Sequence, residues 1–413
     1  MKFEKYQIAP AIKKSLKESG FQRPTDIQYK TIPPILAGED VLAIAQTGTG
    51  KTAAFAIPIL DLLINQIETN EEEPAIRCLV MVPTRELALQ ITEVFQELGK
   101  YTDIRTVCIT GGLDQDPQIT ELKRGVDVLV ATPGRMFDLI YQKHIKITKV
   151  KILVLDEADQ MLDMGFLKDI QDVKKFLPKQ HQTLFFSATI NEEIKDLAYS
   201  LVRNPIRIQI SPKDVVSKNI DHSVCFIEMD DKRFFLERII REHPESKILV
   251  FVRTQVRAER VLKAMERVNI KAFTMHGGKD QQERFHVMKD FKEDKVKVVI
   301  ATDISARGID IPNVEYVINY DLPEVAENYV HRVGRTGRGK SKGFAVSFCS
   351  PEETEILSEI EGFVGKEIKV IEIDKGEYTQ TIDFSEEVKD DWKSLLKEAE
   401  KENKKPKSSK KKK

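Results

Sequence analysis

The sequence has few of the features that build secreted or membrane-spanning proteins. Its four cysteines, Cys78, Cys108, Cys225 and Cys349, lie far apart and form no Cys-x-x-Cys pair. Each of them lies in an apolar stretch, so we expect small core residues in a reducing compartment rather than metal ligands or disulfides. No apolar run reaches the roughly 18 residues of a membrane span, and the N-terminus lacks the apolar core of a signal peptide. These absences predict a soluble, cytoplasmic protein with no membrane partner.

Charge of one sign is concentrated at a single place, the C-terminal end. The formal net charge is −1, yet residues 401–413 hold eight lysines and one glutamate, a net of +7. The preceding 400 residues therefore carry −8. A lysine-rich segment of this kind cannot bury enough apolar surface to fold, so we predict a disordered basic tail.

Strand-like runs alternate with helical patterns along most of the 413 residues. Several of these runs are continuously apolar, as in parallel strands buried on both faces. We predict two tandem α/β domains, each a doubly wound parallel sheet, at residues 1–210 and 222–373, with a linker at 211–221. A polar extension follows at 374–413, with a short amphipathic segment at 392–399. The predicted strands are 41–44, 78–82, 106–110, 126–131, 152–155, 183–186 and 206–210, then 248–252, 272–275, 296–301, 316–319 and 344–348.

A phosphate-binding loop follows the first predicted strand. Residues 45–52 read Ala-Gln-Thr-Gly-Thr-Gly-Lys-Thr and lead into a predicted helix. Glycines let backbone N–H groups curl around phosphates, a lysine reaches the β- and γ-phosphates, and a threonine hydroxyl can ligate Mg²⁺. The predicted nucleotide-binding residues of this loop are Thr47, Gly48, Thr49, Gly50, Lys51 and Thr52, of which Thr52 is also a metal ligand.

Two carboxylates complete a hydrolytic site. Asp156 and Glu157 follow the apolar run 152–155, and ligands bind at the carboxyl ends of strands in open α/β sheets. Asp156 is a predicted metal ligand, and Glu157 is a predicted general base that orients and deprotonates water.

A second candidate element for the nucleotide lies upstream, at Phe21 and Gln28. The Phe21 ring offers a face on which a nucleobase can stack, and Gln28 can pair with adenine N6 and N7. The competing interpretation of this upstream element is a helix cap with a core phenylalanine.

These and further motifs resemble the DEAD-box RNA helicases, and the compact C-terminus with its lysine tail looks most like the bacterial RhlE-like branch of that family. The resemblance covers nearly all of residues 1–370, in the order of that family, and implies two RecA-like domains, ATP with Mg²⁺, and RNA as partner. It rests on Gly-Phe-x-x-Pro-Thr-x-Ile-Gln at 20–28, the loop at 45–52, Pro-Thr-Arg-Glu-Leu at 83–87, Thr-Pro-Gly-Arg at 132–135, Asp-Glu-Ala-Asp at 156–159, Ser-Ala-Thr at 187–189, Ala-Thr-Asp-Ile-Ser-Ala-Arg-Gly-Ile-Asp at 301–310 and His-Arg-Val-Gly-Arg-Thr-Gly-Arg at 331–338.

The resemblance implies a sequence-independent track for the RNA backbone. Loop arginines and exposed N–H groups beside glycines are suited to phosphates. Arg253 departs from the family, where many relatives carry a small polar residue. The implied RNA-binding residues are Pro83, Thr84, Arg85, Gly111, Gly112, Thr132, Gly134 and Arg135 in the first domain, and Arg253, Thr254, Gly277, Gln281, Arg284 and Thr302 in the second.

The resemblance also implies residues that couple ATP to RNA. Ser187 and Thr189 match a hydroxyl pair near Asp159 that relays the nucleotide state. Of the three arginines at 332, 335 and 338, the last two match arginine fingers on the γ-phosphate. The implied catalytic and coupling residues of the second domain are His331, Arg335, Arg338 and Arg307, and Asp310 is an implied ribose contact.

The expected function is ATP-dependent RNA helicase activity. In this account, RNA-stimulated hydrolysis is coupled to interdomain closure and to local, non-processive unwinding of short duplexes, or remodelling of RNA–protein complexes. Two alternatives use the same motifs: an ATP-gated RNA clamp with slow turnover, and a DNA translocase. The expected setting is ribosome assembly or RNA degradation, and the tail is either an RNA tether, a solubilising end, or a localisation signal in a nuclear organism.

Overall fold

The computed structural model describes residues 2–46, 48–67, 75–210, 216–303, 314–337 and 341–385. The chain divides between Ser217 and Lys218 into two compact units. Each unit contains a seven-stranded sheet in which neighbouring strands run parallel. The predicted fold class, tandem doubly wound α/β domains, is therefore confirmed.

Unit 1 is built around strands that are apolar on both faces. The run Ile-Leu-Val-Leu at β5, for example, is buried at every position, as a central parallel strand requires. Its strands are β1 (Val41–Ala45), β2 (Cys78–Met81), β3 (Thr106–Ile109), β4 (Val128–Ala131), β5 (Ile152–Leu155), β6 (Gln182–Ser187) and β7 (Ile206–Ile210). Its helices are α1 (Pro10–Glu18), α2 (Asp26–Leu36), α3 (Lys51–Ile67), α4 (Arg85–Leu98), α5 (Gln115–Lys123), α6 (Pro133–Tyr141), α7 (Ala158–Asp163), α8 (Leu167–Asp172) and α9 (Glu192–Leu201).

Unit 2 has the same construction, with apolar clusters between its sheet and helices. Its strands are β8 (Ile220–Phe226), β9 (Ile248–Phe251), β10 (Phe273–Met275), β11 (Val298–Ala301), β12 (Tyr316–Asn319), β13 (Gly343–Cys349) and β14 (Lys369–Val370). Its described helices of two turns or more are α10 (Lys232–Glu242), α11 (Gln255–Arg267), α12 (Gln281–Lys292), α13 (Ala326–Val333), α14 (Thr354–Val364) and α15 (Lys375–Asp383).

The two sheets share one topology. The strand order is β3-β4-β2-β5-β6-β1-β7 in unit 1 and β10-β11-β9-β12-β13-β8-β14 in unit 2. Adding seven to each strand number of unit 1 gives the order of unit 2, so the units are an architectural repeat. Residues that follow equivalent strands consequently occupy equivalent places in the two units.

Two strands of unit 2 were not predicted. Strand β8 begins at Ile220, inside the predicted linker, and its sequence Ile-Asp-His-Ser-Val-Cys-Phe is interrupted by polar residues. Strand β14 has only two residues, and both are exposed. Neither carries the continuous apolar signal by which the other strands were recognised, and pairing with neighbouring strands stabilises both.

The predicted polar extension begins with an ordered helix. Helix α15 packs on α10 through the rings of Tyr378 and Phe235, whose centroids lie 5.0 Å apart. Arg238 joins the same contact, donating to Thr381 at 2.8 Å and to Glu377 at 2.9 Å. A helix as polar as α15 is thus held by an ion pair, a side-chain hydrogen bond and an aromatic contact. The amphipathic segment at 392–399 and the lysine tail lie outside the described residues.

The cysteines behave as small core residues. Three of them are buried, Cys108 is half-buried, and none forms a disulfide. Burial raises the pKa of the Cys108 and Cys225 thiols to about 11, so both remain protonated and weakly nucleophilic at neutral pH. Among the helices of the described ranges, none is long and apolar enough to cross a bilayer.

Candidate functional site

The phosphate-binding loop joins β1 to the N-terminus of α3. Gly48 and Gly50 have φ angles of +78° and +91°, in the left-handed region that glycine adopts without strain. Thr49 donates its hydroxyl to the carbonyl of Gln46 at 2.8 Å. Lys51 begins the helix and is only 6% exposed, and Thr52 is half-buried beside it. A helix N-terminus with a lysine forms an anion site.

The amide of Gln28 connects helix α2 to this loop. Its Oε1 accepts from the backbone N–H of Thr25 at 2.9 Å, as part of a capping box. Its Nε2 donates to the carbonyl of Gly50 at 3.2 Å. A side-chain amide carries two N–H donors and two lone pairs, so one of each remains for the predicted pairing with adenine.

Phe21 and Gln28 also match the competing interpretation of a helix cap. The Phe21 ring is half-buried, packs against the unit 1 core and meets the Phe3 ring edge-on at 6.3 Å between centroids. Gln28 is 2% exposed. Capping and core packing are thus present in the structure, and the stacking of a base on Phe21 stays a prediction.

Asp156 lies just beyond the end of β5 and is 2% exposed. Burial raises the pKa of its carboxyl, and the Lys51 ammonium opposes that shift. The Lys51 ammonium itself has no hydrogen-bond partner among the described residues. A buried ammonium without a hydrogen bond beside a buried carboxylate is a polar pair suited to a phosphate and a hard cation.

Glu157 adopts an unusual backbone conformation. Its φ and ψ angles are 51° and 49°, a left-handed conformation that costs a non-glycine residue roughly 1–2 kcal/mol. It immediately precedes α7 and is 5% exposed. Such strain persists where the surroundings over-determine the geometry, which is common at functional sites. The Asp156 carboxylate supports the turn by accepting from the Glu157 N–H at 3.0 Å.

Asp159 binds the Ser-Ala-Thr segment that follows β6. Its Oδ2 accepts from the N–H groups of Ala188 and Thr189 at 3.0 Å each, and from the Thr189 hydroxyl at 3.2 Å. The Ser187 hydroxyl is fully buried and has no hydrogen-bond partner within the described ranges. The predicted contact of Asp159 with this segment is therefore made by Thr189 and two backbone amides, without the Ser187 hydroxyl.

The predicted RNA residues of unit 1 lie at one sheet edge, in three loops and in the first turns of two helices. The loops follow β2, β3 and β4 and hold Pro83 and Thr84, then Gly111 and Gly112, then Thr132, while Arg85 begins α4 and Gly134 and Arg135 lie in α6. Thr84 caps α4 by accepting from the Leu87 N–H at 3.3 Å. Two helix N-termini, those of α4 and α6, therefore lie at the same edge and present partial positive charge.

Arginines and glycines of these loops are in direct contact. A Cβ at Gly112 would lie 2.0 Å from Nη1 of Arg85, and the φ angle of Gly112 is +73°. Arg135 donates through Nη2 to the carbonyl of Leu113 at 3.0 Å. Only glycine fits beneath the Arg85 guanidinium, so the two glycine-containing loops and the two arginines form one surface.

Unit 2 repeats this arrangement on the equivalent strands. Arg253 and Thr254 follow β9, Gly277 follows β10, and Thr302 follows β11. Thr254 caps α11 as Thr84 caps α4, accepting from the Arg257 N–H at 3.1 Å. Gln281 and Arg284 lie in the first turn of α12, the helix that follows Gly277.

Arg253 is anchored by acidic residues. Its Nη2 lies 3.1 Å from Oε1 of Glu353, and its Nε lies 3.6 Å from Glu324. Glu353 is buried, also pairs with Lys232, and accepts from the backbone N–H groups of Leu322 and Ser350. Arg253 departs from the family, and its positive charge is paired within unit 2 with the buried carboxylate of Glu353.

The arginine motif begins at the C-terminal end of helix α13, and one of its arginines is structural. Arg332 is 2% exposed and donates through Nε and Nη2 to the two oxygens of Asp303, at 2.5 and 2.8 Å. It also donates to the carbonyl of Asp321 at 2.7 Å. Arg332 is therefore held inside unit 2. Of the motif arginines that the structure describes, this leaves Arg335 as the candidate for contacting the nucleotide. Its Nε donates to the carbonyl of His331 at 3.1 Å.

Four predicted site residues lie outside the described residues. They are Thr47, Arg307, Asp310 and Arg338.

The strand order separates the two predicted ligands along the unit 1 sheet. The carboxyl ends of parallel strands meet at one edge. Strands β3, β4 and β2 are adjacent and precede the predicted RNA residues. Strands β5, β6 and β1 are also adjacent, and they precede Asp156, the Ser-Ala-Thr segment and the phosphate loop. One half of the edge thus holds the RNA candidates and the other half holds the nucleotide candidates.

Several partners of these residues were not found from the sequence. Glu353 lies 100 positions from Arg253, and Asp303 lies 29 positions from Arg332. The resemblance marks Asp303 and Arg332 as motif members but does not pair them. Glu353 stands in no motif quoted above, so the sequence carried no signal for it.

Comparison with known proteins gives a consistent result. Residues 25–197 match the DEAD/DEAH box helicase family, and residues 231–340 match the helicase conserved C-terminal domain. The chain is 40% identical over 371 residues to the DEAD-box ATP-dependent RNA helicase RhpA of Helicobacter pylori, covering 90% of this chain and 74% of RhpA. It is 36% identical over 370 residues to the ATP-dependent RNA helicase DbpA of Bacillus subtilis, covering 90% and 76%.

Solved structures show the same relationship. S. cerevisiae Dbp5 bound to RNA and ADP BeF3 matches with a TM-score of 0.83 at 34% identity, covering 92% of this chain and 98% of that one. Mss116p bound to ssRNA and AMP-PNP matches with a TM-score of 0.82 at 28% identity, covering 92% and 81%. With the loops, strands and identities above, this chain belongs to the DEAD-box family of ATP-dependent RNA helicases and is an ATP-hydrolysing helicase.

Proposed function

We propose that RNA-stimulated ATP hydrolysis in this protein is coupled to closure of its two units: bound ATP and RNA favour closure, and closure unwinds short RNA duplexes locally or remodels RNA–protein complexes. The observation that carries the proposal is the repeated strand order. In both units the loops after equivalent strands hold the RNA candidates, while in unit 1 the adjacent strands hold the nucleotide candidates. A nucleotide and an RNA that both engage the two units would favour the same closed state and bind cooperatively.

The nucleotide chemistry is assigned to unit 1, with Arg335 of unit 2 contributing. Lys51 neutralises the phosphates, and its buried ammonium lacks a hydrogen bond among the described residues. Thr52 and Asp156 supply hard oxygen donors that suit Mg²⁺, which when bound neutralises charge on the phosphates. Glu157 orients and deprotonates the attacking water. Arg335 stabilises charge on the γ-phosphate in the transition state, and Gln28 selects adenine.

The RNA is bound through its backbone. The candidates are arginines, glycine amides and two helix N-termini, which recognise phosphates without reading bases. The solved relatives Dbp5 and Mss116p are bound to RNA in the structures cited above, and their identity to this chain supports the same ligand here. We place the protein in the RhlE-like branch and its substrates among the RNAs of ribosome assembly or RNA turnover.

Unwinding by closure is local. A nucleic-acid stacking step is worth about 1.4 kcal/mol, so a bend that breaks a few pairs separates a short duplex but leaves a long one paired. Hydrolysis then reopens the units and releases the strand.

Strand separation measured with the full chain tests the proposal. We expect ATP-dependent separation of an RNA duplex of one helical turn, and little separation of a duplex of several turns. The variant Glu157→Gln should retain ATP and RNA binding, lose hydrolysis, and trap the closed complex. Equal separation of both duplexes would show processive movement. Slow turnover with tight ATP-dependent RNA retention by the unmodified chain would instead identify an RNA clamp.

A further inference from the structure

The loop at residues 276–279 of unit 2 is fixed to helix α11 by a single carboxylate. Oε1 of Glu259 lies 2.8 Å from Nε2 of His276 and 3.2 Å from Nζ of Lys279. The same oxygen accepts from the Thr274 hydroxyl at 2.9 Å. Three donors on one side of the loop therefore converge on Glu259.

His276 connects Glu259 to the loop backbone. Its ring is 5% exposed, and its Nδ1 accepts from the backbone N–H of Gly278 at 3.2 Å. An imidazole nitrogen that accepts carries no proton, so the ring proton lies on Nε2 and is donated to Glu259. The orientation of the ring and the path of the chain through Gly277 are thus set together.

Gln255, one turn before Glu259 on α11, contacts the loop from the same face. A Cβ on Gly278 would lie 2.7 Å from Oε1 of Gln255, and a Cβ on Gly277 would lie 3.4 Å from its Nε2. Residues four apart share a helix face. The loop therefore packs directly on α11, and the Gln255 side chain would have to move to admit a Cβ at Gly278.

Glu259 is ionised at neutral pH. The hydrogen bond from His276 is the largest cause that lowers the pKa of Glu259 to about 2, and bonds from Thr274 and Lys279 add to it. The anchor is consequently a permanent negative charge beside a loop that carries Gly277.

We propose that Glu259 is a positioning residue for RNA binding, which acts through His276 to fix the loop so that the Gly277 backbone can receive a phosphate. This inference rests on the proposed function, since it assigns a support to the predicted RNA contacts Gly277, Gln281 and Arg284. Glu259 belongs to none of the motifs that identify the family.

The direction in which RNA binding changes when Glu259 is removed distinguishes a positioning role from simple electrostatic repulsion. Glu259 is an acidic residue near a surface that binds a polyanion. If its charge alone mattered, removing it would strengthen RNA binding, because a repulsion would be lost. If it positions the loop, removing it weakens RNA binding in spite of the charge change.

The test compares two alanine variants of the full chain. Glu259→Ala and Glu266→Ala remove the same charge from the same helix, and Glu266 is exposed. In RNA-stimulated ATP hydrolysis we expect Glu259→Ala to raise the KM for single-stranded RNA about tenfold, the scale of hydrogen bonds to a charged group. Its kcat at saturating RNA and its RNA-free hydrolysis should match the unmodified chain. Glu266→Ala should leave the KM unchanged or lower it.

A third variant protects the test against a folding defect. Glu259→Gln keeps an oxygen that accepts from His276 and Thr274, and its KM for RNA should fall between those of the unmodified chain and Glu259→Ala. A KM for Glu259→Ala equal to or below that of Glu266→Ala would overturn the proposal. A KM for RNA of Glu259→Gln as high as that of Glu259→Ala would also overturn it. Absence of RNA stimulation in the unmodified chain would contradict the proposed function instead.

Discussion

Single residues in this protein serve both the local fold and the predicted ligand. Gln28 caps α2 through Thr25 and holds the phosphate loop through the Gly50 carbonyl. Both roles follow from one amide, which donates and accepts. The sequence predicted the adenine contact and offered the helix cap as an alternative, but the contact to Gly50 joins residues 22 positions apart and was not predicted.

Two substitutions separate the roles of Gln28. Gln28→Ala removes the cap and the loop contact, so we expect a loss of up to about 1 kcal/mol in unfolding free energy and a raised KM for ATP. Gln28→Glu keeps an acceptor for the Thr25 N–H but cannot donate to Gly50. It should therefore not recover the KM for ATP, and its buried carboxylate, lying against the Gly50 carbonyl, should keep the unfolding free energy below that of the unmodified chain. Thermal unfolding and ATP hydrolysis measure the two effects, and a normal KM in Gln28→Glu would contradict the contact to the loop.

At this scale the sequence identified the site residues, but it identified fewer of their hydrogen-bond and ion-pair partners. The motifs marked Asp159 and Thr189, and the structure joins them. They also marked Ser187 as a bonding partner, yet its hydroxyl makes no hydrogen bond within the described part of the chain. The buried pairing of Glu353 with Arg253 depends on packing between distant segments, which no local pattern encodes.

At the scale of elements, strand order decides which loops are neighbours. The predicted RNA motifs of unit 1 follow β2, β3 and β4, which are not in sequence order in the sheet. Their loops meet because β4 lies between β3 and β2. Apolar runs predicted nearly every strand, but the polar strand β8 and the two-residue strand β14 were missed, because pairing with neighbours outweighs their weak intrinsic preference.

The contact between Arg85 and Gly112 gives a prediction at this scale. Gly112→Ala places a Cβ against the Arg85 guanidinium at a φ of +73°, so we expect lower stability and a displaced arginine with weaker RNA binding. Gly38→Ala is a matched control, because Gly38 has a φ of +80° and open space around it. Both variants should lose roughly 1–2 kcal/mol from backbone strain. Only Gly112→Ala should also raise the dissociation constant for RNA, and equal RNA binding by the two variants would contradict the shared surface.

The whole molecule combines a repeated fold with an asymmetric charge. The two units have one topology, yet the phosphate loop occurs only after β1, and the arginine motif only in unit 2. The alternation of strands and helices predicted this two-part architecture. The tail at 401–413 carries a net charge of +7, and we propose it as a second, nonspecific route to RNA.

Deleting residues 401–413 tests the tail as an RNA tether. Lysines that neutralise phosphates release counterions, with a salt slope of about 0.7 per contact on single strands. We expect the deletion to weaken RNA affinity and to flatten its dependence on salt, while ATP turnover at saturating RNA stays the same. A chain of equal length with the eight lysines replaced by glutamine is the control for tail length. An unchanged salt slope would contradict the tether.

The most direct measurement of the central claim is steady-state ATP hydrolysis by the full chain under three conditions: without nucleic acid, with single-stranded RNA, and with DNA of the same sequence. Coupling of the nucleotide half and the RNA half of the sheet edge predicts strong stimulation by RNA. Contacts to 2′-hydroxyls would make DNA a poor substitute. Equal hydrolysis in all three conditions, or equal stimulation by DNA, would contradict the account.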